Sequence, residues 1–320
     1  MNDTYGQWLV VVNPNAGNRK CGKDWPEISR ILESQNILFH AVMTEHRNHA
    51  VHITEEYVNR GFQKILVVGG DGTLNEVING IFRQQRFPAN EIMLGMIMVG
   101  TGNDWGRMYR IPSSYDKAVK AIRKERKFVQ DAGMVRYTAE NGENVTRYFL
   151  NMAGLGFDAL VALKTNMMKD KGRGGTFAYL YNLITGLFRY HHVPVQISID
   201  GENVYNDRMF SMNIGICRYN GGGMKQAPMA IPDDGIFDVT VFRAISKLRV
   251  LTNVYRLYSG NFTHLSLARI FRGKEIEVRA MGKRKLLLEA DGESLGSGPF
   301  TFSILPRSVT VIVGKKFLAE

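Results

Sequence analysis

Apolar runs alternate with helical spacings through the first 130 positions of the chain. Trp8 to Asn13, Ile37 to Met43, Ile65 to Val68 and Ile92 to Val99 read as strands. Trp25 to Gln35, His49 to Arg60, Leu74 to Arg83 and Tyr115 to Lys124 place apolar residues three and four apart, the period of a helix with one buried face. Strands separated by helices of this length predict parallel βαβ units with helices on both sheet faces. In such a doubly wound α/β domain, ligands bind beyond the carboxyl ends of the strands.

After about Lys127 the pattern becomes β-rich. Phe128–Tyr137, Asn144–Met152, Val193–Ile199, Asn203–Ile216, Ile236–Phe242, Ile270–Ala280, Lys285–Glu289 and Phe300–Leu305 all read as strands. Turn pairs at Asn141-Gly142, Asp200-Gly201 and Asp291-Gly292 imply antiparallel hairpins. Helical spacings interrupt at Phe157–Met168, Phe177–Arg189 and Ser246–Tyr258. The run from Ser308 to Val313 is either a last strand of this second domain or a return to the first. No internal repeat or low-complexity segment stands out.

Composition adds bounds. A length of 320 residues fits about two domains. Cys21 and Cys217, the only cysteines, read as free thiols in a reducing compartment. The first residues show no secretory leader, and the longest apolar stretch, Ile92 to Val99, is too short to cross a bilayer. The expected location is therefore the cytoplasm. A net charge of +11, with basic clusters at 117–127, 164–173, 243–256 and 269–285, admits nucleic acid, an anionic membrane, a polyphosphate ligand or a plain solvated surface. No zinc-finger spacing, RNP-like aromatic motif or basic heptad helix is present, which sets nucleic acid aside.

The chemistry concentrates in loops after the predicted strands. Leu66-Val67-Val68-Gly69-Gly70-Asp71-Gly72-Thr73-Leu74-Asn75-Glu76 joins a strand to a helix through three glycines and one acid. Glycines let backbone N–H groups approach a phosphate, and the helix start adds a positive dipole end. An acid in such a loop makes sense if it holds Mg²⁺ or takes a proton from an attacking hydroxyl. Asn13-Pro14-Asn15-Ala16-Gly17 and Gly100-Thr101-Gly102-Asn103-Asp104 follow other strands in the same way. Gly17 to Lys23 fits G-x-x-x-x-G-K, but Asp24 stands where a P-loop needs Ser or Thr. Gly154-Leu155-Gly156-Phe157-Asp158-Ala159 fits G-x-G-x-x-A outside a βαβ unit, so it reads as a structural turn with Asp158 near a helix start. Pro232-Asp233-Asp234-Gly235 and Ala290-Asp291-Gly292-Glu293 place acids in turns, where they bind cations or simply cap the turn. In extended chain, Asp291 and Glu293 would share a face.

Taken in order, these blocks resemble the diacylglycerol kinase catalytic-domain superfamily. The likeness is strongest to bacterial lipid kinases acting on diacylglycerol, and the chain is also similar to sphingosine and ceramide kinases. The block around Asp71 alone is shared with NAD kinases; the ordered set is specific. The resemblance implies an N-terminal α/β nucleotide-binding domain over residues 1–130, completed by 308–320. It also implies a C-terminal antiparallel β-sandwich over 131–307 and an active site in the interdomain cleft. By matching position, Asn13, Pro14, Asn15, Ala16, Gly17, Thr44, Gly69, Gly70, Asp71, Gly72, Thr73, Leu74, Asn75 and Thr101 would bind ATP. Asp71 would sit beside Mg²⁺ and the γ-phosphate. Glu293 matches the general base, with Asp291 close by. Asp234, with the carbonyls of Ile231 and Ile236, matches a structural Mg²⁺ site, although Ala230-Ile231 replaces the polar residues expected there.

The implied activity is ATP-dependent phosphorylation of a lipid hydroxyl in phospholipid metabolism, at an anionic membrane surface that the enzyme touches peripherally. The basic clusters and the apolar stretch 177–184 are the expected contacts. A homodimer is compatible with the chain. The rival readings are an NAD-kinase-type small-molecule kinase and a nucleotide-sensing module without catalysis.

Overall fold

The computed structural model describes residues 6–100, 102–139, 142–170, 185–263 and 267–317. The chain divides into two compact units, Met1–Asp131 with Arg307–Glu320, and Ala132–Pro306.

In the first unit, β1 (Trp8–Val12), β2 (Phe39–Met43), β3 (Lys64–Gly69) and β4 (Met93–Met98) pair in parallel in the order β4-β3-β1-β2. Thr310 and Val311 add a parallel partner beside Met93 and Leu94 of β4. Every residue of β1 is buried, as a strand with both faces covered requires. Val10, Val12, Leu66, Val68 and Ile97 join Ile28, Leu32, Val119 and Ile122 in one core layer under α1 (Ala16–Ser34) and α5 (Tyr115–Lys124). The other face carries α2 (His49–Asn59) and α3 (Asp71–Arg83). These two helices approach closely at Gly80, where a Cβ would lie 2.5 Å from the Val51 carbonyl oxygen.

Three details differ from the sequence pattern. Helix α1 begins well before Trp25, because Gly17, Asn18 and Arg19 form a left-handed curl and the helix proper follows at once. A short helix, α4 (Asp104–Met108), follows the Gly100 loop. Strand β2 starts at Phe39 rather than Ile37.

Among the described residues, neighbouring strands of the second unit pair antiparallel. Its strands are the distal part of β5 (Lys127–Thr138), then β6 (Asn144–Phe149), β7 (Met152–Gly156), β8 (Val193–Ile199), β9 (Glu202–Gly215), β10 (Phe237–Arg243), β11 (Ala268–Gly273), β12 (Glu275–Ala280), β13 (Leu287–Ala290), β14 (Glu293–Ser297) and the first part of β15 (Phe300–Ile312). The long β9 pairs β8 with its first half and both β7 and β10 with its second. The result is a β-sandwich around Val195, Ile197, Met212, Ile214, Val239, Leu288 and Phe302. Helix α6 (Phe157–Asp170) follows β7, while α7 (Lys247–Asn253) and α8 (Tyr255–Ser259) follow β10.

Two runs that read as single strands are each split by an acid. Asp291 takes the N–H groups of Leu150 and Asn151, which separates β6 from β7. Asp200 takes those of Lys274 and Glu275 through one oxygen, which separates β11 from β12. Gly156, with φ +78°, turns β7 into α6, so the G-x-G-x-x-A match is a strand-to-helix turn in an antiparallel sheet. Among the described residues, no helix is long and apolar enough to cross a membrane.

Candidate active site

The carboxyl ends of β1 to β4 lie along one sheet edge, because the strands run in parallel. Strand order leaves β1 with β2 on one side and β3 on the other, so the chain reverses its winding between β1 and β3, where ligands bind in such sheets. At this point Asn13 ties the two loops together. Its backbone N–H donates to the Val68 carbonyl at 3.0 Å, and its side-chain Nδ2 donates to Thr73 Oγ1 at 2.9 Å. Its Oδ1 accepts from the Asn15 N–H at 3.0 Å, closing a tight turn around Pro14. Ala16 donates back to the Asn13 carbonyl, and the left-handed curl at Gly17 follows.

The Gly69–Thr73 loop closes on itself and on its neighbour. A Cβ at Gly69 would lie 2.8 Å from Thr73 Oγ1, and one at Gly100 would meet Gly70 Cα at 3.2 Å and Asn103 Oδ1 at 2.9 Å. Only glycine permits this approach of two loops. Asp71 opens helix α3, where the helix dipole favours its negative charge. Its carboxylate accepts N–H groups from Asp104 at 3.1 Å and Trp105 at 3.4 Å, so the acid links the loops after β3 and β4. Asn103 donates to the Gly100 carbonyl at 2.9 Å, while its buried Oδ1 has no hydrogen-bond partner among the described residues.

Thr44 is buried just past β2, its N–H on the Val12 carbonyl at 2.8 Å. Leu74 and Asn75 are 2% and 0% exposed, which makes their side chains part of the helix packing beneath the loop. Gly72 is half-buried in the first turn of α3. Thr101 lies outside the described residues, as does the apolar stretch 177–184. Asp24 is occupied by Lys20 and Tyr115, in keeping with a helix surface rather than a P-loop.

The sequence reading missed Glu76. Its two oxygens accept the N–H groups of Asn48 and Ala50 at 2.8 and 3.1 Å, anchoring the start of α2 on α3. Only its position one turn into a helix after a phosphate-type loop hinted at this.

In the second unit, the β13–β14 hairpin turns at Asp291 and Gly292, with φ +49° and +83°. Asp291 is therefore a turn residue rather than an extended one, and it does not share a strand face with Glu293. Its buried carboxylate accepts three backbone N–H groups, from Leu150 at 2.9 Å, Asn151 at 3.0 Å and Met152 at 3.1 Å. Glu293, half-buried, opens β14 directly beyond the turn. Asn166 of α6 donates to the Gly292 carbonyl at 3.0 Å and braces the hairpin.

Beneath the hairpin lies a second pair of acids that the sequence reading did not single out as reactive. Glu289 is 2% exposed, accepts the Gly292 N–H at 2.8 Å, and is pushed up to about 8 chiefly by burial, with Asp158 and Asp291 adding repulsion. Asp158 is raised to about 6, again chiefly by burial, with Ser211, Asn213 and Gln226 around it. Between about pH 4.5 and 8, folded Glu289 holds a proton that the unfolded chain has lost, so its contribution to stability falls as pH rises through this window. Glu289→Gln keeps an acceptor for Gly292 and removes the titration. Its melting temperature should match wild type near pH 5 and exceed it by pH 8, by up to a few kcal/mol of stability. Parallel melting curves across this range check the slope.

The set around Asp234 is differently arranged. Asp234 Oδ1 accepts the Ile236 N–H at 3.1 Å, and Oδ2 pairs with Arg272. Arg272 also stands 3.4 Å from buried Asp238, whose carboxyl is pushed up by burial against the lowering effect of the guanidinium. A guanidinium paired with Asp234 and standing beside Asp238 supplies the positive charge at these acids, so they do not fit a divalent cation.

Residues 7–135 match the diacylglycerol kinase catalytic domain, and residues 151–313 match the YegS C-terminal NAD kinase beta sandwich-like domain. The chain belongs to the diacylglycerol kinase catalytic-domain superfamily. A diacylglycerol kinase of Staphylococcus carnosus is 28% identical, over 96% of this chain and 94% of its own. A crystal structure of a diacylglycerol kinase from Bacillus anthracis shares the fold with a TM-score of 0.70 at 23% identity, covering 98% of each chain. An NAD kinase from Archaeoglobus fulgidus, solved in complex with ATP, shares it more distantly, with a TM-score of 0.51 at 14% identity over 98% of this chain and 96% of its own. The mixed architecture, a nucleotide-binding α/β unit followed by a β-sandwich, is thus that of lipid kinases and of NAD kinases.

Proposed function

We propose that this chain transfers the γ-phosphoryl group of ATP to the hydroxyl of a diacylglycerol-like lipid. The observation that carries the reading is the knot of loops at the switch point of the sheet. Asn13 binds Thr73, Gly70 and Gly100 close on each other, and Asp71 is held between them. Backbone this bare, at the carboxyl ends of parallel strands, is suited to a triphosphate. The relatives named as diacylglycerol kinases support the acceptor class.

On this reading, Asn13 to Gly17, Thr44, Gly69 to Asn75 and Thr101 hold the nucleotide. Asp71 faces its terminal phosphate, and Glu293 receives the proton of the attacking hydroxyl. The oxygen donors fit Mg²⁺ at this end, since Asp71 offers a carboxylate and the buried Asn103 Oδ1 lacks a partner among the described residues. When bound, the ion neutralises charge on the transferred group. Asp291 acts on Glu293 indirectly, by fixing the turn that presents it. The Asp234 set carries no step. The site of action is the cytoplasmic membrane surface, reached peripherally, within phospholipid metabolism.

Labelled ATP offered with a panel of lipid acceptors in mixed micelles tests the proposal. Magnesium-dependent labelling of diacylglycerol is the expected result, and EDTA should abolish it. Labelling of NAD in a lipid-free assay would move the chain to the small-molecule kinases. ATP binding with no labelled product from any acceptor would make it a sensor.

A further inference from the structure

Helices α7 and α8 carry large apolar side chains on the outside of the second unit. Leu248 is 70% exposed, Leu251 40%, Tyr255 61% and Tyr258 54%. Val254, between the two helices, keeps helical dihedrals of φ −57° and ψ −33°, so the stripe is effectively continuous. At 3.6 residues per turn, the spacing 248, 251, 255, 258 confines all four to an arc of about 80°. Phe188, 58% exposed, extends the stripe at its start, where the Lys247 ammonium stands 5.9 Å from its ring centroid. Val250 turns the other way, into a small core with Phe157, Leu187 and Phe210, which anchors the helix, while the outer stripe stays exposed.

Charge says what the stripe meets. From Val239 to Lys274 the sequence holds no Asp or Glu and seven Lys or Arg. On the helix wheel, Lys247 flanks the apolar arc on one side and Arg249 and Arg256 on the other. Among the described residues these three form no ion pair. An apolar stripe bordered by cations is the pattern of a helix lying in a lipid interface, with the ring and leucine tips below the headgroups and the cations among them. A two-fold contact with a second copy would set the same cations against each other.

We propose that the α7–α8 stripe, with Phe188, is the surface by which this protein docks on an anionic bilayer. The proposal rests on the lipid-kinase reading for its purpose, but its test does not. The probe is sedimentation with vesicles of equimolar phosphatidylglycerol and phosphatidylcholine, against pure phosphatidylcholine. Wild type should bind the anionic vesicles and lose most of that binding between ~50 and ~500 mM salt. Leu248→Asp with Tyr255→Asp should lower binding at least tenfold, and Lys247→Gln with Arg249→Gln should lower it and flatten the salt dependence. The residues are exposed, so melting curves should stay close to wild type. Phosphorylation of a short-chain acceptor dispersed as monomers should be unchanged, while that of vesicle-borne acceptor falls. Undiminished vesicle binding by the Leu248/Tyr255 variant overturns the proposal even if the protein phosphorylates lipid. So does a vesicle-free dimer that this variant dissolves, as read by sedimentation velocity. If no lipid is ever phosphorylated, vesicle binding still decides the docking surface.

Discussion

Asp71→Asn should cut lipid phosphorylation by about 10³-fold and shift the melting temperature by only a few degrees. The substitution is chosen for its shape. An amide oxygen at the same place still accepts the Asp104 N–H, so the link between the loops after β3 and β4 survives. What disappears is the negative charge, held where the start of α3 favours it and where a divalent ion and the transferred phosphoryl would need it. Loss of a single preorganised electrostatic or proton-transfer group typically lowers turnover by about 10²–10⁴-fold. Steady-state rates with saturating ATP, beside thermal melts of the same preparations, separate the two effects. Near-normal turnover in a folded Asp71→Asn protein would remove this acid from the chemistry and with it the proposed mechanism.

Asp291→Ala should have the opposite signature, a large loss of stability. Its carboxylate is the partner of three backbone N–H groups, of Leu150, Asn151 and Met152, in the gap between β6 and β7. Each buried donor left without an acceptor costs about 1–3 kcal/mol. Alanine also tolerates the left-handed backbone at φ +49° less well than aspartate does. A total on the order of 3–5 kcal/mol is a large part of the ~5–15 kcal/mol that holds a domain together. Urea unfolding, with activity followed in parallel, checks this. A variant with wild-type stability and no activity would return Asp291 to the reacting groups.

These two acids show what the chain discloses before it is folded. Both sit beside glycine in turns next to apolar runs, and that texture marks them as places where the chain changes direction. The parallel order of the first unit, the hairpins at Asp200 and Asp291, and the antiparallel texture of the second follow from period and turn chemistry alone. Partnerships across long sequence distance do not. Nothing in the spacing of Asp291 and Glu293 announces that one turns inward onto residues 150–152 while the other opens a strand. Nor does it announce that Arg272 will pair with Asp234 and Asp238. The early start of α1 was hidden by a polar, glycine-containing first turn, whose one buried apolar side chain, Cys21, carries little periodic signal. The raised pKa of Glu289 comes chiefly from its burial in the folded chain, which composition cannot convey.

Strand β15 serves the β-sandwich with its first residues and the parallel sheet with Thr310 and Val311. During translation, the Met93–Met98 strand therefore waits for its last neighbour until nearly the whole polypeptide has been made. At ~5–20 residues per second that wait lasts roughly 10–40 s, with an apolar sheet margin open to any other extended segment. The nucleotide-binding half is thus finished last although it is encoded first.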